Sequence, residues 1–189
     1  IARVSDAVPR EQEPQLVQQI VAAAGSVVVH ASGGVGKSIF ATRIGQALPK
    51  GSACVLYDCF GNGEYRGATG YRHRHKDALV QIANELAREG LCHLLIPTAN
   101  ADAPAYVRAF IYRLSQAATL LRLANPDALL CIVVDAADNA QMAAQEIGEA
   151  RSFVRDIIRT KLPVGVRLVF LCRSHRQDLL DPPHDCTAI

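Results

Sequence analysis

The stretch from Val27 to Ser38, VVVHASGGVGKS, constrains this chain more than any other. Val27, Val28 and Val29 form a short β-branched run that reads as a buried strand. It leads into a turn of Ser32, Gly33, Gly34 and Gly36, after which Phe40, Ile44 and Leu48 recur at helical spacing from Ile39 onward. Strand, glycine turn and helix in that order make a phosphate-binding loop. The glycines allow positive φ and turn the backbone N–H groups inward, and the helix N-terminus adds partial positive charge. Lys37 would then reach the β and γ phosphates, and Ser38 would hold Mg²⁺ through its hydroxyl. Against the usual pattern G-x-x-x-x-G-K-[ST], the single departure is Ala31 at the first position. The expected nucleotide contacts are Ala31, Ser32, Gly33, Gly34, Val35, Gly36, Lys37, Ser38 and Ile39.

Around that loop the chain alternates strand-like and helix-like segments. Pro14 begins a helix whose apolar positions are Leu16, Val17, Ile20, Val21 and Ala24, stopping at Gly25. Ala53 to Tyr57 reads as a second strand, ending at Asp58. Leu79, Ile82, Ala83 and Leu86 mark a helix that ends near Gly90, and Leu91 to Ile96 suits either a strand or a buried connector. A further helix starts at Asp102 and Pro104 and carries Val107, Phe110, Leu114, Ala117 and Leu121 to a stop at Asn125 and Pro126. Leu129 to Val134 is a continuous apolar run, as in a strand buried on both faces, and ends in Asp135. Ile147, Ala150, Val154, Ile157 and Ile158 fit one face of another helix. Val166 to Cys172 is the last core strand, with Arg173 at its end.

Such alternation predicts an α/β chain, a three-layer α/β/α P-loop NTPase fold with a mainly parallel central sheet. At 189 residues the chain has the size of one domain. The organisation reads as an N-terminal lead-in and helix over 1–26, the NTPase core over 27–175, and a segment over 176–189 leading out towards downstream domains. The chain lacks an initiator methionine and ends without a closing element, as expected of a piece of a longer protein.

Ligands of parallel sheets bind at the carboxyl ends of the strands, which brings the loop, Asp135 and Arg173 to one edge. A carboxylate at Asp135, beside Ser38, suits the metal of a Mg²⁺–nucleotide site. Asp138, three residues on, is placed to take a proton from the water attacking the γ phosphate, or to cap the following helix together with Asn139. Arg173 would neutralise γ-phosphate charge. Arg176 stands close enough in sequence to compete for that part.

Gly61 to Lys76 is polar, glycine-rich and basic, with Arg66, Arg72, His73, Arg74, His75 and Lys76 close together. Without aromatic interleaving it reads as a solvated loop rather than a nucleic-acid surface, and the net charge of +2 supports that. His73 and His75 have no third ligand nearby, so no metal site is expected there. The six cysteines form no C-x-x-C pair and read as reduced thiols, which points to the cytoplasm. No signal peptide precedes the first helix and no apolar run approaches a membrane span, so no membrane partner is expected.

The segments IVVDAADNA, VFLCRS and ASGGVGKS together resemble the STAND class of signal-transduction ATPases, including the NACHT and NB-ARC types. In that class an apolar strand ends in Asp, followed by two small residues and a second acid, and a later strand ends in arginine. Cys172 stands where the class commonly has a small hydroxyl residue. Val8, Pro9 and Arg10 are similar to its V-x-R element, which would place Arg10 near adenine. The resemblance implies a Mg²⁺-dependent ATPase of slow turnover that cycles between ATP and ADP. It further implies a downstream helical lid, winged helix and repeat sensor in the same chain, and a homo-oligomer on activation. Defence proteins are among the bacterial relatives of the class. No N-K-x-D-like guanine reader is present, so adenine is favoured. Two other functions fit the same motifs: a DNA-linked ATPase using the Arg66 to Lys76 cluster, and a nucleotide-binding interaction domain without turnover.

Overall fold

The computed structural model describes residues 10–61, 63 and 71–189. Val8 and Pro9 of the V-x-R element, and Arg66 of the basic stretch, lie outside the described residues.

The elements run α1 (Glu13–Ala22), β1 (Ser26–Ala31), α2 (Lys37–Ile44), β2 (Ala53–Asp58), α3 (His75–Arg88), α4 (Ala103–Ala124), β3 (Leu130–Asp135), α5 (Ala137–Glu146), α6 (Phe153–Ile157), β4 (Val166–Arg173) and β5 (Thr187–Ala188). The five strands form one sheet in the order β2-β3-β4-β1-β5, and every pairing is parallel. Parallel neighbours need covered crossovers, and here helices cover both faces. Because side chains alternate along a strand, each strand serves two cores. Val28, Leu130, Ile132, Val134, Leu168 and Phe170 pack with α3, α4 and α6 on one face. Val27, Val29, Cys131, Val133, Val169 and Leu171 pack with α1 and α2 on the other. The result is the three-layer α/β/α arrangement expected from the alternating pattern. β3, the most apolar run, is buried at every position.

Local signals account for most boundaries. Pro14 lies in the first turn of α1, where the missing N–H costs nothing. Asp102 caps α4, its carboxylate accepting from the Ala105 N–H at 2.8 Å. Gly36, at φ 89°, sets the turn into α2. The Glu13 carboxylate accepts from Arg43 at 3.0 Å and ties α1 to α2.

Four segments differ from the sequence reading. The helix expected over Ile147–Ile158 forms only at Phe153–Ile157: α5 ends at Glu146, a turn with Gly148 at φ 76° and a bend follow, and Ile147 is exposed. Leu91–Ile96 is neither strand nor buried connector: Leu95 is buried while Leu94 and Ile96 face solvent. The segment after β4 winds into 3₁₀ turns over Ser174–Leu180 and then returns to the sheet as β5, where the Ile189 N–H donates to the Val28 carbonyl and the Ile189 carbonyl accepts from the His30 N–H, both at 2.9 Å.

The fourth difference is the basic stretch, which is not a solvated loop over 71–76. His73 is 1% exposed and His75 9%. Glu149 accepts from His73 at 2.9 Å and from Arg74, and Asp156 pairs with His75 at 2.8 Å. Arg72 lies over the Tyr57 ring at 4.6 Å and Arg74 over the Tyr71 ring at 3.7 Å. His73, Arg74 and His75 thus clamp the start of α3 to the segment 149–156, while Arg72 is held at the end of β2.

Candidate functional site

The register of the sheet brings four strand ends into one row. Asp58 of β2 is paired with Asp135 of β3, β4 lies next, and its Arg173 is paired with Ala31 of β1, from which the glycine loop springs. Above this row lies a cavity of about 510 Å³. Gly33, Gly34, Gly36, Lys37, Ser38 and Ile39 wall one side; Asp58, Phe60, Asp135, Asp138, Asn139 and Arg173 wall the other. Thus the loop, both acids and the arginine singled out from sequence face one space. Of the remaining predicted contacts, Ala31, Val35 and Arg10 line a second, adjoining cavity, and Ser32 lies exposed in the loop between them.

The loop is held in a defined shape. Gly34 and Gly36 take φ of 76° and 89°, and neither would meet a close neighbour if it carried a Cβ, so backbone conformation rather than crowding demands glycine there. The Lys37 ammonium donates to the Ala31 carbonyl at 3.0 Å and the Ser32 carbonyl at 2.7 Å, folding back across the loop. Burial lowers its pKa; Asp138, Cys172 and Asp135 work against that, and Arg173 adds to it. An ammonium so placed gains by meeting an anion in the cavity.

Asp135 is 3% exposed, and burial pushes its carboxyl above the ordinary range. The Ser38 hydroxyl and the Ala136 N–H, the latter at 2.9 Å, donate to it and partly offset that effect, while the nearby Asp58 charge reinforces it. A desolvated carboxylate with a second acid beside it and a serine hydroxyl on it is the donor chemistry of a hard divalent cation. The residues present therefore fit Mg²⁺. Ala136 follows with φ 53°, the left-handed region that disfavours a side chain, and this kink starts α5 with Asp138 in its first turn.

Asp138 is 2% exposed and accepts from Arg176 Nη1 at 3.4 Å. It does not cap α5, whose N-cap position is Ala136. Arg173 reaches the cavity from the end of β4 and is exposed. Cys172, in place of a hydroxyl residue, is fully buried, and burial pushes its thiol up to about 12, so it stays neutral.

The adjoining cavity, about 260 Å³, shares Gly36 and Lys37 with the first. Leu16 of α1, Val29 of β1, Phe40 of α2 and Ile189 give it apolar walls, and Arg10, Gln12 and His30 supply polar edges. Sequence reasoning placed only Arg10 in such a position, through the V-x-R element. It also missed Asp58, although the rule that found Asp135, an acid closing an apolar strand, applies equally to ACVLYD.

Neither a protein-family model nor a curated protein matches this chain. Among solved structures it is similar to the Walker-type ATPase Paby2304 of Pyrococcus abyssi, with a TM-score of 0.56 over 90% of this chain at 12% sequence identity. The fold is that of a Walker-type ATPase. The match spans 46% of the archaeal chain, so this chain corresponds to under half of that protein. Among the described residues no helix is long and apolar enough to cross a membrane.

Proposed function

We propose that this chain is the ATP-binding and ATP-hydrolysing switch module of a larger multidomain signalling or defence protein of the STAND type, in which nucleotide state controls domain arrangement or oligomerisation. The observation that carries the reading is the meeting of the loop, Lys37, Asp135, Asp138 and Arg173 around one cavity, at the end of the sheet where the fold binds ligands.

In this reading the loop N–H groups and Lys37 hold the β and γ phosphates, and the ammonium exchanges two carbonyl acceptors for phosphate oxygens. Ser38 and Asp135 would hold Mg²⁺, which when bound offsets the developing phosphate charge. Asp138 accepts the proton of the attacking water, and Arg173 stabilises charge on the γ phosphate. The apolar cavity seats adenine between Phe40 and Ile189 with Arg10 at its rim. Within the basic stretch, Arg72, His73, Arg74 and His75 are engaged in the fold, which favours this reading over the DNA-linked one.

Titration calorimetry with ATP and ADP in Mg²⁺ tests the reading, on this chain and on a longer one carrying the next domain. Lys37→Ala should weaken binding at least tenfold, a loss of about 1.4 kcal/mol or more, and the longer chain should bind more tightly. Equal binding by wild type and Lys37→Ala would sink the assignment of the loop.

A further inference from the structure

Arg173 and Arg176 divide the site between them in a way that motif spacing does not reveal. Arg173 faces the cavity and makes no hydrogen bond or ion pair with its side chain among the described residues, whereas Arg176 reaches Asp138 Oδ2 at 3.4 Å. Arg173 closes β4 in extended conformation, and Arg176 lies in the first turn of the 3₁₀ segment Ser174–Leu180 that follows. The strand end presents one guanidinium to the cavity, and the turn after it brings the other to the buried acid in the cavity wall. Its start is anchored as well, by a hydrogen bond of 3.1 Å between the Ser174 hydroxyl and His30 Nδ1, on the strand that leads into the loop.

We propose that Arg176 is a positioning residue: it fixes the carboxylate of Asp138 in the orientation that receives the proton of the attacking water. The proposal rests on the assignment of Asp138 made above. A carboxylate 2% exposed requires a partner of opposite charge, and the Lys37 ammonium, which feels the Asp138 charge, is an alternative one. Arg176, which is not among the residues lining the cavity, occupies Asp138 Oδ2. That leaves Lys37 for phosphate and keeps the acid from swinging across the space where nucleotide sits. A guanidinium does this better than an ammonium because its planar fork sets direction as well as charge.

The test is steady-state ATP turnover with parallel calorimetry on five forms of the full chain: wild type, Arg176→Ala, Arg176→Lys, Asp138→Asn, and the Arg176→Ala/Asp138→Asn double variant. Asp138→Asn should lower kcat about 100-fold or more. Arg176→Ala should lower kcat about tenfold with KM and the Kd for ATP unchanged, as when a transition-state interaction alone is lost. Arg176→Lys should recover part of that loss, and in the Asp138→Asn background Arg176→Ala should cost nothing more. Unchanged or faster turnover in Arg176→Ala overturns the proposal, as does an equal loss whether or not Asp138 is present. Normal turnover in Asp138→Asn instead overturns the assignment of Asp138 itself. Should Arg176→Ala fail to fold, Arg176→Lys and Arg176→Gln carry the same comparison, with the neutral variant the slower of the two.

Discussion

Replacing Ala136 by glycine isolates what the kink between β3 and α5 contributes. Ala136 holds φ 53° and ψ 41° between Asp135 and the first turn of α5. A non-glycine residue in that region costs roughly 1–2 kcal/mol relative to its ordinary basins. Glycine removes that strain but restores freedom to the unfolded chain, at a cost of roughly 0.5–1 kcal/mol. Strain exceeds entropy, so Ala136→Gly should stabilise the fold by about 0.5–1 kcal/mol. With a urea m-value of roughly 2 kcal/mol/M for a chain of this size, the midpoint should rise by about 0.3–0.5 M. The chain contains no Trp, so far-UV circular dichroism is the appropriate probe. Turnover should fall severalfold in the same variant, because the constraint that sets Asp138 relative to Asp135 has been loosened. A lowered urea midpoint would refute the reasoning: it would mean that the half-buried Ala136 methyl contributes more by packing than the left-handed backbone costs.

The clamp at the start of α3 has a pH signature. Burial lowers the His75 pKa below its ordinary value of 6.5, outweighing the pull of Asp156, so the fold prefers the neutral ring. Stability is then full above that value and is lost as pH falls through it, and His75→Gln should flatten urea midpoints measured between about pH 7 and 5. Phe153 is fully buried with its ring edge-on to Tyr57 at 5.5 Å, and Phe153→Ala should cost about 3–5 kcal/mol in the same assay. Chelating Mg²⁺ should weaken ATP binding in wild type by calorimetry but have little effect on a Ser38→Ala/Asp135→Asn double variant, in which the cation donors are gone.

What the sequence made legible was what local pattern determines. The apolar runs Val27–Val29 and Leu129–Val134 flank β4 on its two sides, and the acid and arginine that close the strands converge on the loop because all strands are parallel. The misreadings share a physical origin in distance along the chain. His73 and His75 look solvated until Glu149 and Asp156 arrive from some 80 residues away to accept from them. β5 is two residues long and has no periodicity to read; its existence is dictated by the open edge of β1. Arg176 is hidden because its reach depends on a 3₁₀ turn that begins where the strand stops. The break that shortens the helix expected over Ile147–Ile158, by contrast, was available in Gly148, a residue type that commonly ends helices.

The placement of β1 sets an order in time. No strand near it in sequence is its neighbour: Ser26 pairs with Leu168, and Val27 with Thr187. At roughly 5–20 residues per second a ribosome needs on the order of 10 s to travel from one partner to the other. During that interval the valines of β1 have no sheet to join, while β2 and β3 can already meet. The strand made first among the five is therefore seated among the last, and a nascent chain acquires its phosphate loop only as synthesis of this segment closes.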